Sequence, residues 1–225
     1  MNESQSPNVT VPSWLTDLAE AAQTMTVPPA LRPPRQGGRH SAVLVLFAHA
    51  HSGPEVLLIQ RADGLRRHSG QPAFPGGALE AGDIGPAACA LREAYEETGL
   101  DPAGVTVLDT LPELYISPSQ FRVTPVLAWW HTPSEVRPVD TLEVAGVARV
   151  PVAELADPAN RLRVRHPAGF TGPAFRVREM LVWGFTAGLL NELLILGGWE
   201  RPWHSGAREE PLETLVALRP TGGTA

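Results

Sequence analysis

No lysine occurs anywhere in the chain; all 18 of its basic residues are arginine. Arginine presents a planar, two-pronged set of donors that suits phosphate. A chain rich in Ala, Gly, Pro and Arg is also what compositional bias produces, so the absence alone assigns nothing. Basic runs are missing too, and the net charge of −6 argues against nucleic acid or an anionic membrane as the main partner. The single cysteine, Cys89, rules out an internal disulfide. A catalytic thiol there would need a histidine close by, which the local sequence does not provide, so Cys89 reads as packing. Met1-Asn2-Glu3-Ser4 lacks the basic start and apolar run of a signal peptide, and a cytoplasmic protein is expected. One long apolar run is present, residues 180–197. Gly184, Gly188, Asn191 and Glu192 interrupt it, and it barely reaches the roughly 18 residues of a membrane span. It reads instead as a C-terminal helix buried on a sheet, or as a helix shared with a second subunit in a homodimer. No internal repeat is visible. At 225 residues, one domain with a tail is expected, burying roughly 70–75% of its unfolded surface.

What the chain does have is a glycine turn, Phe74-Pro75-Gly76-Gly77, leading through Asp83 to Arg92-Glu93-Ala94-Tyr95-Glu96-Glu97-Thr98-Gly99-Leu100. Pro86 suits the first turn of a helix, Gly99 suits its left-handed cap, and Pro102 follows soon after. On that helix Glu93, Glu96 and Glu97 stand at i, i+3 and i+4 with Arg92 beside them, so all four project from one side. Ala87, Leu91, Ala94 and Tyr95 form the opposite stripe, which should face the core and leave the acids to a cleft or solvent. Like charges at this spacing destabilise a helix by roughly 0.2–0.5 kcal/mol per pair. They also crowd the negative end of the helix dipole, where a cation is welcome. A hard divalent ion, Mg²⁺ or Mn²⁺, would take these carboxylates, and a backbone carbonyl at Gly76 or Gly77 would add a ligand. The alternative is a solvated charged face, and the acids by themselves leave that reading favoured.

The spacing of the whole stretch resembles the signature of the Nudix hydrolases, in which a glycine and a spaced acid precede Arg-Glu-(apolar)-x-Glu-Glu-x-Gly-(apolar). Gly77, Asp83 and the run from Arg92 to Leu100 match it, with one extra residue between Asp83 and Arg92 and with Asp in place of Glu. A second motif lies upstream: Leu57-Leu58-Ile59-Gln60-Arg61-Ala62, then Arg66, Gly70 and Phe74-Pro75-Gly76-Gly77. It is similar to the motif of coenzyme A diphosphatases, a branch that tolerates the same extra residue; only Ile59 departs, where Thr is usual. Weaker likeness continues through Leu111-Pro112, Ser117-Pro118-Ser119, Val123-Thr124-Pro125-Val126 and Trp183-Gly184. The resemblance implies an α/β fold, the Nudix α/β/α sandwich around a mixed central sheet. It implies Mg²⁺ or Mn²⁺ held by Glu93, Glu96 and Glu97, with Gly77 as a further ligand and Arg92 orienting a glutamate or supporting the turn. These are also the expected catalytic residues: Arg92, Glu93, Glu96 and Glu97. It further implies substrate-binding roles for Arg61, Arg66, Gly70 and Phe74. The expected reaction is cleavage of coenzyme A to 4′-phosphopantetheine and adenosine 3′,5′-bisphosphate. Two rivals stay open: a diphosphatase for ADP-ribose, dinucleotides or nucleoside triphosphates, and a binding or regulatory domain with impaired catalysis.

Along the chain, residues 1–39 are broken by Pro12, Pro28, Pro29, Pro33 and Pro34, and read as an arm with a short helix at 14–22. Trp14 and Leu15 would pack on the body or on a second subunit. The hydrolase domain is expected over residues 40–205 and a polar tail over 206–225. Strands are expected at 41–48 and 56–61 as a hairpin, then at 105–114, 122–130 and 144–150, with a short helix from 151 to 155. Loop residues Arg67 and His68 read as ordinary surface groups. Tyr115 and Phe121 would either stack on an adenine or pack in the core. Gln120 stands where relatives commonly have Gly, which would narrow the site. Relatives often show Glu-Val-x-Glu before the last of these strands, whereas this chain has Glu143-Val144-Ala145-Gly146. The missing acid would have to be replaced by Glu143, Glu135 or Asp140, which sequence alone does not separate.

Overall fold

The computed structural model describes residues 9–64, 69–167, 169–203 and 209–217. Helix α1 (Ser13–Gln23) buries Leu15, Leu18 and Ala22, which recur at i, i+3 and i+7 on one face. The arm thus closes on the body: the Trp14 ring meets Phe47, Trp129 and Trp199 edge-on, with centroids 5.8, 6.1 and 5.5 Å away.

The expected hairpin forms and is longer than its apolar runs, with β1 (Arg39–Ala50) antiparallel to β2 (Gly53–Arg61). Two short strands follow, β3 (Pro72–Ala73) on β2 and β4 (Gly76–Ala78) on β1. Helix α2 (Pro86–Thr98) then leads to β5 (Val105–Thr110), β6 (Leu114–Ile116), β7 (Phe121–Trp130), β8 (Val144–Pro151) and α3 (Val152–Ala156). The strand expected at 105–114 is split at Leu111-Pro112-Glu113, since proline offers no N–H to a ladder. Tyr115 and Ile116, expected in a loop, pair with β7 instead. Among the described residues this sheet has eight strands, ordered β3-β2-β1-β7-β5, with β4, β6 and β8 added to β1, β7 and β2. It is mixed, because β1 runs parallel to β7 while its hairpin partner β2 is antiparallel.

Both faces of β1 are buried, as its continuous apolar run requires. Ala42, Leu44 and Leu46 pack with Cys89, Ala90 and Ala94 of α2. Val45 and Phe47 point the other way, toward α1 and the C-terminal helix. The architecture is therefore α/β, with helices on both faces of a mixed sheet.

Residues 161–182 hold strands that periodicity did not reveal. They are β9 (Arg161–Arg165), β10 (Thr171–Val177) and β11 (Met180–Val182), followed by α4 (Gly184–Leu196). The run at 180–197 is thus a strand and then a helix. A two-residue turn, Arg178-Glu179, joins β10 to β11, with φ of 49° and 63°. Such turns favour Asn and Gly, so this sequence carries no signal for one. Of the expected tail, β12 (Glu209–Pro211) pairs parallel to β9, and Leu212 and Leu215 of α5 (Leu212–Ala217) are buried beside Val164, Ala174 and Leu181. Among the described residues no helix is long and apolar enough to cross a membrane.

Because α1 contributes fully buried side chains to the main core, Leu18→Ala should lower unfolding free energy by about 2–5 kcal/mol in urea titrations. A loss under about 0.5 kcal/mol, the size of an ordinary surface change, would remove α1 from the cooperative unit.

Candidate active site

Helix α2 starts at Pro86, ends at Thr98 and is capped by Gly99, whose φ of 70° is left-handed and whose N–H donates to the Tyr95 carbonyl at 2.8 Å. Ala94 marks the direction of the sheet. At about 100° per residue, Glu97 is rotated about 60° from Ala94, Glu93 about 100°, and Glu96 about 160°. Exposure follows that order: the side chains are 6%, 17% and 52% exposed. The three acids therefore do not share one environment. Tyr95 is about 100° from Ala94 on the other flank and is 58% exposed, so it is not part of the core stripe. Cys89 and Ala90 complete that stripe instead.

Arg92 ties the helix to the turn before it. Its Nε and Nη2 donate to the two oxygens of Asp83 at 3.1 and 3.0 Å, and Nη2 also donates to the Ala78 carbonyl at 3.1 Å. Nη1 donates to Glu93 at 3.1 Å and to Glu96 at 2.9 Å. The Arg92 donors hold the Asp83 carboxyl at about 2, well below its usual range, and the Glu80 N–H adds to this. The shorter Asp thus still reaches the arginine of the motif.

Glu97 accepts from the Gly76 N–H at 2.9 Å and faces Arg61 Nη1 at 3.7 Å. Burial pushes its carboxyl up to about 8; Gly76 and Arg61 oppose this, while Glu93 and Glu143 add to it. Glu93 is also raised, chiefly by burial, against the pull of Arg92. Its carboxylate lies so close to Gly77 that a Cβ there would collide with it. The Gly77 carbonyl accepts the Cys89 thiol at 3.6 Å, and burial raises that thiol to about 11. Cys89 is packing, as its surroundings suggested.

The other expected residues divide. Arg61 reaches the carboxylate cluster, and its buried Nε has no hydrogen-bond partner among the described residues. Gly70 is buried with φ of 62°, its carbonyl accepting from Gln60 and its N–H donating to the Ala62 carbonyl. Phe74 is 2% exposed and belongs to the main hydrophobic core, so it anchors the loop and offers no surface to a ligand. Arg66 lies outside the described residues, as do Arg67 and His68. Tyr115 is half-buried on β6, opposite Arg122. The Arg39 guanidinium lies over the Phe121 ring at 4.3 Å. Gln120 has φ of 60°, a conformation natural to the Gly common at its position.

A cleft of about 490 Å³ opens over the helix C-terminus. Five carboxylates line it: Glu93, Glu96, Glu97, Asp140 and Glu143. The last two arrive because the preceding loop caps α2: Arg137 N–H donates to the Thr98 carbonyl at 3.0 Å and Val139 N–H to the Glu97 carbonyl at 3.1 Å. Asp140 and Glu143 are thus the alternatives the fold brings to the cluster, while Glu135 is exposed and does not line the cleft. Gly146 sits opposite Gln60 in the β2–β8 pairing. Tyr95, Gly99 and Val139 complete the lining. Tyr95 and Val139 have no metal-ligand chemistry and therefore gave no sequence signal.

Among the described residues, no three acidic side chains converge as a metal-binding group as placed. Arg92 holds Glu93 and Glu96, and Gly76 holds Glu97. The donor set still fits a hard cation. Its members are carboxylate oxygens, and Glu97 is pushed toward protonation chiefly by burial and further by its acid neighbours, which a positive charge would oppose.

The family model described as NUDIX domain matches residues 38–168, and the chain belongs to the Nudix hydrolase family. Its relatives include the uncharacterized Nudix hydrolase NudL of Citrobacter koseri, 36% identical over an alignment of 181 residues that covers 73% of this chain and 88% of that one. NudL of Cronobacter sakazakii is 40% identical over 177 residues, covering 73% and 85% of the two chains. Among solved structures, the Nudix hydrolase RenU of M. smegmatis superposes with a TM-score of 0.52 at 23% identity, covering 75% of this chain and 91% of RenU; that likeness concerns the fold. Nudix enzymes generally use divalent metal ions.

Glu97 generates a pH prediction for protein kept in EDTA. Its carboxyl rises from 4.5 to about 8 on folding, so the folded state holds the extra proton between those values. Stability is then highest below about pH 4.5 with respect to this group and falls as pH rises toward 8. The thermal midpoint should drop between about pH 5 and pH 8 by on the order of 5 °C more in the parent than in Glu97→Gln. Parallel pH profiles would show that Glu97 is not the group responsible.

Proposed function

We propose that the protein hydrolyses the diphosphate of coenzyme A or its acyl derivatives, giving 4′-phosphopantetheine, or its acyl form, and adenosine 3′,5′-bisphosphate. The observation that carries this reading is the meeting of the two motifs. Arg61 of the upstream motif stands 3.7 Å from Glu97 of the carboxylate helix, with one donor unsatisfied. The segment that distinguishes the coenzyme A branch thus borders the segment common to the whole family. The Arg61 side chain is 25% exposed, and an arginine beside buried carboxylates suits a substrate oxygen carrying negative charge.

Glu93, Glu96 and Glu97, with the Gly77 carbonyl, would hold Mg²⁺ or Mn²⁺, which supplies neutralisation of the diphosphate and a more acidic water. Arg92 braces Glu93 and Glu96 against Asp83 and so keeps the carboxylates in register. We assign the missing second acid to Glu143. It lines the cleft, and its charge reaches both Glu93 and Glu97. A Glu143 carboxylate oxygen takes the proton from the attacking water as the new P–O bond forms and the anhydride P–O bond breaks. Arg61 and Arg66 orient the phosphate-bearing half, with Gly70 and Phe74 shaping their loop, and Tyr115 is assigned to stacking on the adenine. We place the catalytic unit over residues 40–205 and the enzyme in the cytoplasm, where a lone reduced thiol such as Cys89 is ordinary.

The test is product analysis by mass after incubation with Mg²⁺ or Mn²⁺ and equal amounts of coenzyme A, acetyl-coenzyme A, ADP-ribose, NADH and a nucleoside triphosphate. Phosphopantetheine or its acyl form should predominate; turnover of another substrate instead would discard the branch but keep the hydrolase. No turnover at all would favour a binding domain impaired at Gly146. In the same assay Glu96→Gln and Glu97→Gln should lower turnover by about 10²-fold or more. Glu143→Gln should lose about 10²-fold in kcat, with Glu135→Gln close to the parent. Equal activities for the Glu143 and Glu135 variants would reject Glu143 as the base.

A further inference from the structure

One side of the acidic cleft is not acidic. Tyr95 and Val139 are 58% and 54% exposed, and both line the cleft with Gly99. Tyr95 and Gly99 are one helical turn apart on the same flank of α2. A Cβ on Gly99 would stand 3.4 Å from Val139 Cγ2, so the valine side chain lies across the end of the helix. Two backbone hydrogen bonds fix this arrangement, from the Gly99 N–H to the Tyr95 carbonyl and from the Val139 N–H to the Glu97 carbonyl. The result is a preformed apolar floor that adjoins the carboxylates, the usual form of a small-molecule subsite.

Charge decides which part of a substrate lies there. The cleft-lining residues next to this floor include Asp140 and Glu143, and no basic side chain is among the described residues that line it. Arg61 is at the other side of the cluster, against Glu97. Coenzyme A is asymmetric about its diphosphate. The adenosine half carries a further phosphate, which Asp140 and Glu143 would repel. The pantetheine half is uncharged, with a dimethyl-substituted carbon, a hydroxyl and two amide N–H groups.

We infer that Tyr95, Gly99 and Val139 form the subsite for the pantetheine arm, with Asp140 accepting hydrogen bonds from its hydroxyl and amides. The inference rests on the coenzyme A reading proposed above. It makes Tyr95 a specificity-determining residue that acts on the neutral half of the substrate.

The two halves can be tested separately as product inhibitors. Tyr95→Ala should weaken inhibition by 4′-phosphopantetheine about tenfold and raise KM for coenzyme A by a similar factor, the effect of losing most of one buried ring. Inhibition by adenosine 3′,5′-bisphosphate should change less than about twofold, a few tenths of a kcal/mol. Tyr95→Phe should restore most of the loss, and Val139→Ala should act in the same direction as Tyr95→Ala. Equal weakening of both products, selective weakening of the adenosine product, or no change in either would overturn the assignment. If the parent enzyme leaves coenzyme A intact, the proposed function fails and this subsite with it. If the parent cleaves coenzyme A while Tyr95→Ala is silent, only the subsite fails.

Discussion

The site depends on how closely α2 approaches the sheet. Ala42 on β1 and Ala90 and Ala94 on the helix are small, and all are fully buried at the contact. Gly76 and Gly77 continue that approach along β4: a Cβ on Gly76 would strike the Ala42 carbonyl, and one on Gly77 would strike the Glu93 carboxylate. Once the helix is drawn in, Glu97 is carried below the surface. A buried carboxylate is costly unless it is paired or hydrogen-bonded. Gly76 N–H and Arg61 answer that demand at Glu97, and Arg92 answers it at Glu93, whose side chain is 17% exposed.

Arg92 has a different part from Arg61. It binds Asp83, the Ala78 carbonyl, Glu93 and Glu96 together, so the loop before the helix and the helix itself move as one piece. Arg61 enters from β2, where the pairing with β8 shifts register between Gln60 and Arg61. Bulges of this sort re-aim a side chain. The cleft is completed from a third place, the loop at 137–143, which caps the helix carbonyls and delivers Asp140 and Glu143. Three segments distant in sequence thus meet over one helix end. The acids concentrate on that end and Arg61 stands behind Glu97, which leaves the charge around the cleft lopsided.

Local chemistry was readable where one short stretch contains all of its own reasons. Pro86 and Gly99 bound the carboxylate helix, and the β-branched runs at 41–48 and 56–61 form the hairpin. Tyr95 was misread as core because the stripe was drawn from apolarity, whereas the sheet contact selects small residues. The strands at 161–182 were missed for another reason. Their hairpin turns on Arg178-Glu179, residues that strain into positive φ without any Gly or Asn to announce it. Phe74 looked like a ligand contact because it sits in a motif, yet its ring is in the core.

By itself the sequence determined the carboxylate helix, its caps, its arginine and the glycines on which it rests, because each follows from i to i+4 spacing or from the backbone freedom of glycine. Only the tertiary structure decided that Glu97 is buried while Glu96 is not, since that depends on the direction from which the sheet packs. It also chose Asp140 and Glu143 over Glu135, and made Tyr95 and Val139 a wall of the cleft. Those outcomes arise from contacts between segments far apart in the chain, whose relative placement no local pattern encodes.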